Sequence, residues 1–220
     1  AAALGIVESA VEVHPQTMGG SFGRKYHPEA AIEAAVLAQR TGKPVRVIWT
    51  REDEIRNGPH RPAQAGRLAA VLGPNKLPRS LEVHWAGPSY FIRTQQDVER
   101  LRTRRGGYDG STMEGMIPFP YPVPFMKAAQ HWADFGIPVG SWRSTAHSFN
   151  TFFTESFVDE LAALNGEDPL ALRLRWLREG SSLDPQRLPE RAYNPPFDRR
   201  RLERVIERVA ELSSWGKPLP

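Results

Sequence analysis

Within five residues, Asn165-Gly166 and Asp168-Pro169 oblige one helix to end and another to begin, and this punctuation constrains the fold of the chain more than any other feature. Glycine enters the left-handed conformation that closes a helix at little steric cost. An aspartate carboxylate can accept the free amides of a new first turn, and proline fits the first helical position. Upstream, Asn150 reads as the N-cap of a helix whose Phe153, Phe157, Leu161 and Leu164 share one face. Downstream, Leu170, Leu174 and Leu177 carry a second helix to Gly180. Asp198 reads as the cap of a third, with Leu202, Val205, Ile206, Val209 and Leu212 on its apolar side and Arg and Glu on the other. The C-terminal third is therefore helical.

The remainder alternates between strands and loops. Ala1 to Ile6 reads as the tail of a helix and Ala10 to His14 as a strand, followed by a glycine-rich loop from Met18 to Gly23. Pro28 suits the first turn of a helix bearing Ile32, Ala35 and Val36, which Gly42 stops. Val45 to Thr50 has the clearest strand pattern in the chain, and Arg51 to Arg61 reads as a charged turn. Arg67 to Leu72 and Leu81 to Trp85 pair around Gly73-Pro74-Asn75, and Phe125 to Ala133 is a further strand. Gly87 to Pro124, rich in Pro, Gly and Tyr, reads as an irregular surface excursion. A mixed sheet followed by helices gives the class α+β. The organisation expected is one domain-sized stretch, 1–220, with a mixed α/β part at 1–135 and a helical part at 136–220.

Composition narrows the chemistry. The chain has no cysteine, which excludes disulfides, iron–sulfur clusters and thiolate zinc sites from these residues. Its net charge of +4 arises from 29 basic residues interspersed with 25 acidic ones, a solvated surface rather than a nucleic-acid stripe. No apolar run approaches the roughly 18 residues of a membrane span. Nor does the start resemble a signal peptide. It lacks a methionine and opens in mid-helix, so the chain is expected to be a piece of a longer one.

Two loops could carry chemistry. Gly19, Gly20 and Gly23 allow close backbone approach to a ligand, and their amides, with a helix start beyond, can form an anion-binding concavity to which Arg24 and Lys25 add charge. The spacing is neither a dinucleotide fingerprint nor a phosphate-binding P-loop, since Tyr26 stands where Ser or Thr would hold magnesium. In Gly140-Ser141-Trp142-Arg143-Ser144-Thr145, an arginine lies between an indole and hydroxyl residues, an arrangement suited to clamping an oxyanion. A tight turn and a surface loop whose Arg143 pairs with a carboxylate are the plainer alternatives. Glu52, Asp53 and Glu54 read as a hydrated turn rather than a base. The six histidines fall in no zinc spacing, and no nucleophile elbow surrounds Ser144 and His147. Arg93, Arg100, Arg102, Arg104 and Arg105 read as an exposed loop.

Taken in order, Gly19 to Lys25 and Gly140 to Thr145 resemble the two cofactor-cradling loops of the molybdopterin-binding subunits of the xanthine dehydrogenase and aldehyde oxidase family. The resemblance takes in Gly42 to Asp53, Arg61-Pro62-Ala63, Tyr121 to Pro124, Thr154 to Ala162, Asp168 to Arg173 and Trp215 to Pro220, nearly the whole chain. Within the family it is most similar to the isoquinoline 1-oxidoreductase beta-subunit branch, which includes aldehyde dehydrogenases of bacterial membranes or periplasm.

The resemblance implies a molybdopterin cytosine dinucleotide carrying molybdenum, held by Gly20, Ser21, Phe22 and Gly23 of the first loop and by Arg143, Ser144 and Thr145 of the second. Tyr26 falls on the substrate side, where xanthine-oxidising relatives place a glutamate, and Thr145 where they place an aromatic ring. Purine specificity is therefore not carried over. Ser21 replaces a third glycine and is strained if that position needs a positive φ. The family's proton-accepting glutamate lies in a Gly-Val-Gly-Glu-type segment absent from this chain, so neither a catalytic residue nor a metal ligand is assigned here. The implied parent oxidises an aldehyde or N-heterocycle with water as oxygen donor and passes electrons to an iron–sulfur small subunit and on to a cytochrome c or other acceptor. This stretch alone would be inactive. Its compartment, periplasm or cytoplasm, is left open. Two other classes are carried alongside: a basic anion- or nucleic-acid-binding module, and an interaction domain that keeps the scaffold without the cofactor.

Overall fold

Strand β2 (Pro78–Gly87) alternates buried and half-exposed residues along its length, so Leu81, Val83 and Trp85 point to one face while Ser80, Glu82 and His84 point to the other. It is the centre of a three-stranded mixed sheet in a computed structural model that describes residues 1–90, 99, 109–180 and 198–218. Strand β1 (Ala65–Leu72) pairs with it antiparallel, Leu68 opposite Val83, through a turn closed by the Gly73 amide on the Leu77 carbonyl. Strand β3 (Phe125–Trp132) joins its other edge in parallel, Ala128 opposite Val83. The described residues form two compact units, Ala1–Pro62 with Phe135–Arg143 and Ala63–Asp134 with Ser144–Pro220.

The second unit contains the sheet and most of the helical mass. Helix α3 (His147–Asn165) packs on β1, where Gly66 makes room for the Phe153 ring. A Cβ on Gly66 would stand 2.9 Å from that ring. Helix α4 (Pro169–Glu179) starts as its sequence demands, with Pro169 in the first turn and the Asp168 carboxylate accepting the Ala171 amide. Gly166, at φ 67°, closes the helix before it. Helix α5 (Arg199–Leu212) is capped by Asp198, which accepts the amides of Arg200 and Arg201. Trp176 of α4 stacks on Tyr121 at 5.0 Å between centroids and donates its indole N–H to the Pro122 carbonyl. Part of the irregular stretch thus enters the core, since Met113, Met116, Phe119 and Tyr121 are all buried. The mixed α+β class is as expected. No helix among the described residues is long and apolar enough to cross a membrane.

Several expectations need correction. Asn150 does not cap α3. It lies one turn inside, fully buried, and its amide donates to the carbonyls of Thr112 and Glu114. The buried stripe of α3 runs through Asn150, Thr154, Val158, Leu161 and Ala162, leaving Leu164 73% exposed. In the first unit, Ala2–Leu4 and Glu8–Ala10 are single 3-10 turns, and neither Ala10–His14 nor Val45–Thr50 enters a ladder among the described residues. Val45–Thr50 keeps the alternation of a strand, half-buried and exposed by turns, without a neighbour to bond among the described residues. The supposed charged turn contains helix α2 (Arg51–Asn57), begun by a reciprocal capping box between Thr50 and Asp53. Helix α1 (Glu29–Thr41) ends at Gly42 as expected, with Pro28 as its N-cap residue rather than in its first turn. The arginines at 93, 100, 102, 104 and 105 lie outside the described residues.

Candidate functional site

The glycine loop turns sharply because two consecutive residues, Phe22 (φ 50°) and Gly23 (φ 91°), occupy the left-handed region. Ser21 does not, so the strain expected there falls on Phe22 instead. Gly23 has no alternative: its φ disfavours an L side chain, and a Cβ would stand 2.4 Å from the Ser141 carbonyl oxygen. The turn is closed by the Arg24 amide on the Ser21 carbonyl and the Tyr26 amide on the Gly23 carbonyl, while Lys25 Nζ donates to the Gly20 carbonyl at 2.9 Å. Among the described residues, the amides of Gly20, Ser21, Phe22 and Gly23 make no hydrogen bond to protein.

Arg24 anchors this loop to the two helices of its unit. Its guanidinium donates to both carboxylate oxygens of Glu54 on α2 and to Glu29 on α1, and lies 5.6 Å from the centre of the Trp49 ring. The hydrogen bond to Glu54 raises its pKa above the ordinary arginine value, against the opposing effect of burial. Glu54 is therefore a structural counter-ion and Asp53 a helix cap, rather than members of a hydrated turn.

The first half of the second loop belongs to the same unit. The Arg143 amide donates to the Phe22 carbonyl at 2.7 Å, and Arg61 Nη2 donates to the Arg143 carbonyl at 3.0 Å. Residues 138–140 run beside His60, whose amide donates to the Pro138 carbonyl and whose carbonyl accepts from the Gly140 amide. Trp142 donates its indole N–H to the Pro59 carbonyl. Ser141 donates its amide to His27 Nε2 at 3.2 Å. The backbone of Arg143 is thus held on both sides, while its exposed guanidinium has no ion pair or hydrogen bond among the described residues. Tyr26 is 66% exposed, its ring edge-on to His27 at 5.6 Å.

Ser144 and Thr145 belong to the second unit, so the boundary divides the loop between Arg143 and Ser144. Both have positive φ, 74° and 36°. That is unusual for any residue but glycine and more so for a β-branched one, and costs on the order of 1–3 kcal/mol each. Thr145 is held by its hydroxyl, which donates to Glu114 Oε2 at 2.8 Å. That same oxygen lies 3.7 Å from His147 Nδ1, and Asn150 fixes the Glu114 carbonyl. His27, Arg61 and Glu114 are thus the residues that sequence reasoning missed, and Arg24, expected to add charge for an anionic ligand, is instead paired with Glu54 and Glu29. Only the Thr50-x-x-Asp53 spacing gave a readable signal, for the helix that presents Glu54. Among the described residues, no group of three or more His, Asp or Glu is arranged to hold a metal ion.

Comparison with known proteins converges on one cofactor-binding fold. Residues 1–79 match the molybdopterin cofactor-binding domain family. The chain is 30% identical over 217 residues to isoquinoline 1-oxidoreductase subunit beta of Brevundimonas diminuta, covering 97% of this chain and 25% of that protein. It is 24% identical over 234 residues to a membrane-bound aldehyde dehydrogenase (pyrroloquinoline-quinone) of Gluconacetobacter polyoxogenes, covering 99% and 28%. It therefore spans about a quarter of the length of these curated relatives. Among solved structures, the aldehyde oxidoreductase of Desulfovibrio gigas superposes with a TM-score of 0.65 at 21% identity, covering 88% of this chain and 20% of that one. Quinoline 2-oxidoreductase of Pseudomonas putida 86 gives 0.63 at 20% identity, covering 89% and 24%.

Proposed function

We propose, from the premise that this chain belongs with the molybdopterin-binding domains of the xanthine dehydrogenase and aldehyde oxidase family, that its two loops hold a molybdopterin cytosine dinucleotide in a larger molybdenum hydroxylase. One observation carries the reading. The Arg143 amide is spent on the Phe22 carbonyl, while the Arg143 guanidinium and the amides of Gly20 to Gly23 are hydrogen-bond donors without acceptors among the described residues. Such donors suit the oxygen-rich ligands and pyrophosphate of a molybdopterin dinucleotide. The backbone space at Gly23, which a Cβ would close, fits the same ligand class.

In this reading Gly20, Ser21, Phe22 and Gly23 present backbone to the cofactor, Arg143 clamps an anionic part of it, and Ser144 and Thr145 flank that clamp. Tyr26 faces the substrate side. The chemistry supplied by the cofactor when bound is two-electron oxidation of a substrate carbon with water as the oxygen source. This chain's residues position and neutralise; the proton-accepting glutamate comes from outside the chain. The substrate class is an aldehyde or N-heterocycle, in keeping with the names of the relatives. The partners are an iron–sulfur small subunit and, beyond it, a cytochrome c or similar acceptor. The test is molybdenum and pterin content of the full subunit, wild type against Arg143→Ala. A fall of about tenfold is expected from the loss of a charge-assisted contact. Unchanged content of both would remove Arg143, and with it the reading, from the cofactor site.

A further inference from the structure

We propose that His27 is the positioning residue that registers the second loop against the first, through a ring nitrogen that accepts the Ser141 amide. The inference rests on the reading of the two loops as a cofactor cradle and adds to it a side chain from neither loop's recognised motif.

Three observations carry it. The Ser141 amide points at His27 Nε2 from 3.2 Å. An amide can only donate, so Nε2 accepts and the ring proton sits on Nδ1, which faces Glu29 Oε1 at 4.0 Å. The His27 side chain is 8% exposed, while the neighbouring Tyr26 is 66% exposed, so the chain turns the imidazole inward where it could have turned it to water. Finally, Gly140 passes so close that a Cβ there would stand 2.7 Å from His27 Nε2 and 2.6 Å from Pro59 Cβ. The glycine is required by the close approach of the imidazole and of Pro59.

The geometry has a consequence for Arg143. Ser141 and Arg143 are two residues apart, and their amides donate to acceptors in the single short segment 22–27. The Pro59, His60 and Arg61 contacts hold the second loop to residues 59–61, and to the segment 22–27 it has the Arg143 bond to Phe22. The bond to His27 adds a second point on that segment and so fixes the register of the second loop against the first. An aliphatic residue at 27 could fill the same space without holding the register. Glutamine could hold it, because its side-chain oxygen can take the place of Nε2 as acceptor.

The experiment compares wild type, His27→Leu and His27→Gln in the full subunit, reading amide hydrogen exchange at Ser141 and Arg143 together with molybdenum and pterin content. In His27→Leu, exchange at both amides is expected to rise about three- to tenfold, the range that one neutral hydrogen bond supports. Cofactor content should fall several-fold. His27→Gln should restore protection and content, and amides of β2 should be unchanged in both variants. Equal protection in wild type and His27→Leu overturns the proposal. So does a His27→Gln protein that loses protection as His27→Leu does, and this second variant decides the matter if the leucine protein does not fold. If protection responds as expected while cofactor content stays constant, the positioning role stands and the cofactor reading of the loops fails.

Discussion

In the unit formed by residues 63–134 and 144–220, Trp85 and Trp176 have no exposed surface and lie among buried Leu, Met and Val side chains. In the unit formed by 1–62 and 135–143, Phe22, Ile48 and Ile137 are each more than half exposed, and the buried residues are Gly58, Pro59, Pro62 and Gly140. The first of these units is held by apolar burial. The second is held by directed bonds: backbone hydrogen bonds among three loops and the ion pairs of Arg24. Burial tolerates small shifts, whereas hydrogen bonds fail over a few tenths of an ångström. Precise placement of a loop is therefore assigned to the unit that has the least core. Regions with few buried apolar contacts also open most readily, as ligand-holding elements must.

The sharpest way to break this contrast is in the core. Trp176→Ala removes a ring with no exposed surface, its stacking on Tyr121 and its hydrogen bond to Pro122. A cost of about 3–5 kcal/mol is expected, a large share of any domain's stability. Hydrogen exchange should show α4 and β2 losing protection together. Loss confined to α4 would mean that the core is not one cooperative body.

A substitution in the other unit should act differently. In Gly23→Ala the new Cβ meets the Ser141 carbonyl at 2.4 Å in a backbone conformation that alanine disfavours by about 1–2 kcal/mol. The expected result is lost protection at Ser141 and Arg143 with β2 amides unaffected and, on the proposed reading of the loops as a cofactor cradle, loss of cofactor from the full subunit. Loss of protection in β2 as well would show that the two units share their stability, and the contrast would have to be redrawn.

The same division explains what was legible in the sequence. Helices α4 and α5 announce themselves because Asp168, Pro169 and Asp198 act on backbone within three residues of themselves. The strands of the sheet were legible because burial on one face imposes alternation on residues such as Leu81, Val83 and Trp85. Val45–Thr50 shows the same alternation, yet a strand exists only with a partner, and pattern cannot report whether one is present. Asn150 was misplaced because a buried polar residue inside a helix and a polar cap look alike in sequence. The two loops were legible as candidates, but the bond from Ser141 to His27 spans 114 residues and leaves no local trace.

The smallest effect concerns charge on the open face of the sheet. Glu82 accepts from Lys127 Nζ at 2.8 Å and lies 3.1 Å from His84 Nε2, and the lysine first, then the histidine, lowers its pKa from 4.5 to about 2. A carboxylate with a depressed folded-state pKa stabilises the protein above its unfolded value, and that contribution fades as pH falls from 4.5 toward 2. The melting temperature of wild type should therefore exceed that of Glu82→Gln slightly at pH 7, and the gap should narrow as pH falls below 4.5 and close only below about 2. Because Glu82 faces solvent, high salt should shrink the gap as well. A gap that survives both acid and salt would mean that Glu82 acts through packing rather than charge. In that event packing, not directed bonding, would extend to the outer sheet face of the unit built on apolar burial, and the contrast with the loop-held unit would sharpen.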